Sequence, residues 1–301
     1  MKTVFDILRN MRLASFALTG LLFAVNADAT VTVSVNGNVA TALVELPDSS
    51  TPTYAATVTI TFDAAVNLTA ESLNLTATLI DPNNPPALPQ QVSIDPDFPV
   101  VVEVEPTVAL FRNSFESGQT GNGNLDFLNT YLFDIDTANL QCSSATSTYR
   151  LFKATHGSND FADVTDDLIH GSVRARGRGG AFSRFMLVKD GRTQTLLGLP
   201  LIKLTNLSTR LLAATISNPA LVANLTTLLT NVATNLVVLN VTGAISNLDL
   251  FIASVTNNAG GDIANEWNAD RSLVNDAGEL LSLAQTLRFS LTLLNGATVC
   301  N

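Results

Sequence analysis

Six basic side chains, Arg174, Arg176, Arg178, Arg184, Lys189 and Arg192, fall within nineteen positions of an otherwise acidic chain. Strand alternation sets Arg174 and Arg176 on one face, Val173 and Ala175 on the other, and Arg178 at the turn that follows. Guanidinium forks pair with planar anions, so Arg174, Arg176, Arg178 and Arg184 form a candidate site for phosphate, sulfate or uronate groups of a surface polymer. The competing reading is internal neutralisation, by the acidic first segment or by Asp163, Asp166 and Asp167, which is the commoner fate of a charge run.

The remaining chemistry-bearing residues form no catalytic set. His156 and His170 flank an Asp-rich stretch, but neither has HxxxH or HExxH spacing, and both read as loop histidines. Alternating carboxylates at Asp134 and Asp136, and at Asp95 and Asp97, are weak calcium candidates that lack the glycine and distal Glu of an EF-hand loop. Calcium is the one cofactor left open; no other is expected. A GxSxG elbow is absent, and one Trp and three Tyr offer little sugar platform, with Trp267 expected to plug the end of a helical region. The Asn-Leu-Thr and Asn-Leu-Ser triplets reflect Asn and Thr abundance.

The elements that would position these residues fall into segments. Residues 1–29 have the form of a secretory signal peptide: Lys2, Arg9 and Arg12, an apolar run from Leu13 to Val25, and the small-x-small end Ala27-Asp28-Ala29. Thirteen apolar residues fall short of the roughly 20 that span a bilayer, and no transmembrane segment is expected after cleavage. The expected location is secreted or periplasmic. The mature chain then carries 13 basic and 24 acidic residues, a net charge of about −11 that disfavours nucleic acid as a partner. In that oxidising setting Cys142 and Cys300, the two cysteines of the chain, are expected to form a disulfide.

Residues 30–112 hold nine acidic residues and, up to Phe111, no Lys or Arg. Val31, Val33 and Val35, then Val58, Ile60 and Phe62, then Leu73, Leu75, Ala77 and Leu79, then Val100, Val102 and Val104 alternate with polar neighbours between Asn, Gly and Pro turns. This predicts an Ig-like β-sandwich. Residues 113–124 read as a polar linker. Residues 125–195 predict a second sandwich, with strands at 149–154, 172–177 and 181–189, the last two joined in a tight hairpin through Arg178-Gly179-Gly180. From residue 196 to 301 the period turns helical through Leu204–Leu211, Leu221–Leu236, Ile245–Val255 and Leu273–Leu287, which predicts an antiparallel four-helix bundle. The expected fold class is therefore multidomain α+β.

The stretch AISNLDLFIASVTNNAGGDI, with Ala244, Ile245, Leu248, Phe251, Ile252, Val255 and Gly260, followed by LVNDAGELLSLAQTL, resembles FIMAH domains. These are helical modules at the C-terminal end of exported bacterial proteins. The hairpin GSVRARGRGGAFSRFMLV resembles the closing hairpin of Ig-like domains in bacterial surface proteins. The order of parts is similar to that of uncharacterised secreted proteins of Gram-negative bacteria. The resemblance implies a bundle and export, and no activity. The expected function is that of an exported, non-catalytic interaction or surface-associated module whose partner is a protein or an anionic surface polymer. A glycan-directed polymer hydrolase and a structural component that assembles through strand edges are the alternatives.

Overall fold

The structure, a computed structural model, describes residues 29–47, 53–108, 124–142, 147–155, 157–169, 171–192 and 197–297. The expected signal segment up to Asp28, together with His156, His170 and Cys300, lies outside the described residues.

The chain order is β1 (Thr30–Asn36), β2 (Val39–Leu46), β3 (Tyr54–Val66), α1 (Ala70–Leu73), β4 (Leu75–Leu79), β5 (Val92–Ile94), β6 (Val100–Val104), β7 (Asp126–Cys142), β8 (Tyr149–Thr155), β9 (Ala162–Asp163), β10 (Thr165–Ile169), β11 (Gly171–Gly179), β12 (Ser183–Asp190), α2 (Gly198–Ala213), α3 (Pro219–Val237), α4 (Val241–Asn258), β13 (Glu266–Asn268) and α5 (Asp276–Leu294). The architecture is α+β, with two antiparallel sheets. One runs β1-β2-β3-β7-β11-β10, with β13 added to β7; the other runs β4-β6-β12-β8-β9, with β5 added to β12.

The strand periodicity holds, but the partition expected from composition does not. β3, from the acidic segment, pairs with β7 from Thr57↔Asp136 to Val66↔Asp126, and β6 pairs with β12 from Arg184↔Glu103 to Met186↔Val101. Both sheets thus take strands from both segments, and residues 30–112 and 125–195 do not form separate sandwiches. The physical reason is burial: β3 and β7 present Val58, Ile60, Phe62, Phe127, Tyr131, Phe133 and Ile135 to one shared core. Each segment's sheet would otherwise leave an unpaired edge and an open apolar face.

The Arg178-Gly179-Gly180 hairpin is also corrected. β11 and β12 do not pair; the chain crosses between them from one sheet to the other. The glycines are there for close approach, not for a positive φ. A Cβ on Gly179 would lie 2.2 Å from the Tyr131 hydroxyl, and one on Gly180 would lie 2.5 Å from the Glu279 amide nitrogen. A further local correction concerns Leu73, which closes the short α1 rather than opening a strand. Thr69 and Ser72 cap that turn reciprocally.

Helices α2–α5 share a core of Leu207, Leu225, Val232, Leu236, Leu248, Phe251, Val255, Leu280 and Leu287. Asn218 caps α3 ahead of Pro219, and Asn240 caps α4. α3 is long and apolar enough by composition to cross a membrane, and Leu221, Leu225, Leu229, Val232 and Leu236 of it are buried here. α5 is buried on both sides, which explains its weak amphipathic pattern. Its Leu280, Ala284, Leu287 and Leu291 enter the helical core, while Phe289 enters the sandwich core. This helix therefore joins the two halves, and the junction it creates holds the chemistry described next.

Candidate functional site

The arginine stripe is neutralised within the protein. Arg174 Nε lies 2.9 Å and Arg176 Nε 2.7 Å from Oδ2 of Asp134, a carboxylate only 5% exposed. Arg176 also reaches Asp167 at 3.6 Å, and Arg178 Nε lies 2.9 Å from Asp166 Oδ2. Arg184 stands on β12, in the other sheet, where it donates to the Ser158 carbonyl and to Asn159 Oδ1 and lies over the Phe161 ring. Lys189 and Arg192 pair with Asp95 and Asp190. Arg174, Arg176, Arg178 and Arg184 are thus not brought together as one anion cradle. The same contacts displace the calcium reading: Asp134 is engaged by two guanidinium groups, and Asp136 accepts from Ser172 at 2.8 Å. Among the described residues no group of three or more His, Cys, Asp or Glu is arranged to hold a metal.

Where α2 and α5 meet β9 and β10, a second set of charges is buried. Lys203 Nζ lies 2.6 Å from Asp163 Oδ2 and donates to Thr286 Oγ1 at 2.7 Å, while Thr165 Oγ1 donates to Asp163 Oδ1 at 2.6 Å. Burial alone would raise the Asp163 pKa. The Lys203 and Arg150 charges and the hydrogen bonds from Lys203 and Thr165 reverse that and hold it below the ordinary carboxylate range. Asp166, two strand positions beyond Asp163's turn, goes the other way: burial pushes it up to about 7 despite Arg178. These groups act as a polar fastening between the sandwich and the helices.

The cleft next to this fastening carries a different kind of cation. A cavity of about 260 Å³ is lined by Lys153, Thr155, Asp160, Ala162, Val164, Gly180, Arg210, Glu279, Ser282 and Leu283. A second, of about 270 Å³, shares Thr155 and Glu279 with it and continues along Phe182, Trp267, Arg271 and Asn275. Three elements build the first cavity. β8 delivers Lys153; the sheet-to-sheet crossing at Gly180 presses against the first turn of α5; α2 supplies Arg210. Arg210 bridges Glu279 and Asp276, the latter at 2.5 Å, so two carboxylates sit in the first turn of α5, where the helix dipole favours negative charge.

Lys153 differs from every other described lysine. Lys189 and Lys203 have carboxylates at 2.7 and 2.6 Å, whereas the one hydrogen bond of Lys153 runs from Nζ to the Ala181 carbonyl at 2.8 Å. That carbonyl also accepts from the Tyr131 hydroxyl at 2.7 Å, and Nζ lies 5.8 Å from the Tyr131 ring centroid. One of the three ammonium donors is thus engaged, and the other two have no hydrogen-bond partner among the described residues. Enclosure by protein lowers the Lys153 pKa from 10.5 to about 8, with Glu279 opposing the shift from a distance. The side chain keeps some accessible surface and lines the cleft.

Neither Lys153 nor Glu279 stands out in the sequence, because each is a lone charge in an ordinary strand or helix pattern. The one local signal was Gly179-Gly180, which marks the close approach of two backbones. Trp267 was expected at a helix end, but it lies on β13, stacks on Phe127 at 5.2 Å and forms a wall of the cleft. Cys142 ends β7, is 1% exposed and is not free. A family model described as a family of unknown function, DUF6689, matches residues 17–295. No curated protein and no solved structure matches the chain.

Proposed function

The chain belongs to the DUF6689 family, whose model spans the strands and the helices alike, and from this continuity we propose one function for the whole unit. It is an exported, non-catalytic interaction module, secreted or periplasmic, that holds its ligand in the cleft between the sandwich and the helices. The observation that carries this reading is Lys153: an amine that lines a largely apolar cleft and makes one hydrogen bond among the described residues has the character of a recognition group. Its complement is an oxygen acceptor, a carbonyl or carboxylate on a protein segment or on an anionic surface polymer. The ligand contact is thereby moved from the arginine stripe to Lys153.

Export rests on the pattern from Lys2 to Ala29, and a Cys142–Cys300 disulfide fits that setting. An Ig-like character for the sandwich and a FIMAH-like bundle for α2–α5 belong to the same reading. The hydrolase alternative is less well supported: Glu279, a cleft carboxylate, is engaged by Arg210, and Asp160 stands exposed.

Trp267 is the single tryptophan and lines the cleft, so its fluorescence reports occupancy. Titration with short uronate oligosaccharides and with carboxylate-terminated peptides should change that fluorescence and raise the melting temperature for one class. Lys153→Met should weaken the response at least tenfold. No change in either signal at millimolar ligand would overturn the proposal.

A further inference from the structure

The environment of Lys153 goes further than a place to hold an acceptor. Lys189 and Lys203 each stand against a carboxylate, Asp95 and Asp163. Lys153 has no carboxylate within 4 Å among the described residues; it donates to a backbone carbonyl, lies by an aromatic face, and shares its cavity with the apolar Ala162, Val164 and Leu283 as well as Asp160, Arg210 and Glu279. Of the two carboxylates lining the cavity, Glu279 is held by Arg210 and Asp160 is exposed. Desolvation of an amine without a compensating anion is the arrangement that makes a lysine nucleophilic.

We propose that Lys153 is a carbonyl-capturing amine, and that the cleft takes a small aldehyde or ketone as a reversible covalent imine. This rests on the cleft reading above and names the chemistry of the group that enters it. In the step, the neutral Nζ attacks the carbonyl carbon, a C–N bond forms and the carbonyl oxygen takes up a proton. Proton loss from nitrogen gives the carbinolamine, which then loses its hydroxyl as water to leave the C=N bond. No oxidant or reductant is involved, and water reverses the step. A cavity of about 260 Å³ admits a carbonyl compound of a few carbon atoms, and the adjoining 270 Å³ accommodates a longer tail along Phe182 and Trp267. The lowered Lys153 pKa supplies a substantial neutral fraction at pH 7.5, against about 0.1% for an ordinary amine near 10.4.

The chain provides its own control, since Lys153, Lys189 and Lys203 are the lysines beyond Lys2. The intact folded chain would be incubated with acetaldehyde and cyanoborohydride between pH 6 and 9.5, with the reduced adduct at each lysine quantified by peptide mass spectrometry. At pH 7.5 labelling of Lys153 is expected to run at least tenfold faster than that of the half-exposed Lys189. Its rate should level off above about pH 8, and the preference should vanish in denaturant. Labelling of Lys153 no faster than Lys189 in the folded chain, or equal preference in the denatured chain, overturns the proposal without any variant. If the Trp267 titration detects a ligand while Lys153 stays unlabelled, the imine chemistry fails and the cleft reading stands. If neither signal appears, both fail.

Discussion

Replacing Lys153 by Met tests whether the cleft lysine is held against its own solvation. Met keeps the length and apolar volume of the stem but carries no charge. The wild-type pKa falls from 10.5 in the unfolded chain to about 8 in the fold. At 1.36 kcal/mol per pH unit, this corresponds to about 3 kcal/mol by which protonation of Lys153 opposes folding. Between pH 8 and 10.5 the unfolded chain binds the extra proton, so wild-type stability gains this amount as pH rises through that window and lacks it below pH 8. Against the gain from removing the charge stands the lost hydrogen bond to Ala181, about 1 kcal/mol, and no more, because the carbonyl keeps the Tyr131 hydroxyl. Urea denaturation should therefore find Lys153→Met more stable by about 2 kcal/mol at pH 7 and less stable by about 1 kcal/mol near pH 10.5, with a crossover between. A difference independent of pH would refute the reasoning, since it would mean that the lysine is solvated in the fold.

The fastening between the halves answers differently. Lys203→Met leaves Asp163 buried and unpaired and should destabilise by about 3–5 kcal/mol. Because the folded Asp163 pKa is depressed, its contribution is present above the ordinary carboxylate value and lost as pH falls through the folded one, so the mutational difference measured by urea denaturation should shrink in acid. Gly180→Ala would drive a Cβ to 2.5 Å from the Glu279 amide and 2.6 Å from the Gly278 carbonyl carbon, and should lower stability by about 1–3 kcal/mol in a thermal melt. Arg174→Ala with Arg176→Ala strips the buried Asp134 of both partners and should cost about 1–2 kcal/mol after allowance for exposure, while leaving retention on a polyanion column unchanged.

Much of the local structure was legible because it depends on near neighbours. Alternation in Val58, Ile60 and Phe62 marks β3 and its inward face, and three-and-four spacing marks α2–α5. The facing of the arginine stripe was also legible, since Val173 and Ala175 are buried and Arg174 and Arg176 are not. Internal pairing with Asp166 and Asp167 was legible too, but the Arg176–Asp134 salt bridge was not, because it joins residues forty-two positions apart.

Composition misled at the level of domains. The absence of basic residues from Thr30 to Phe111 marks off a segment in the sequence, but strands pair by edge and buried face rather than by net charge, and β3 finds its partner in β7. α5 is buried on both sides because the sandwich is set against its Ser282 and Thr286, which donate to the Arg178 and Asp163 carbonyls.

Legible in the sequence, then, are seven of the strands, the helical character of residues 204–287 and the acidic character of the chain. These follow from periodicity and composition, which act over a few residues. The tertiary structure alone decided that strands of two segments share their sheets, that the arginines are neutralised, and that Lys153 is left with one hydrogen bond in a cleft. Partner choice and desolvation depend on groups that only folding brings together, and the pKa of a lysine is a property of that enclosure rather than of its neighbours in the chain.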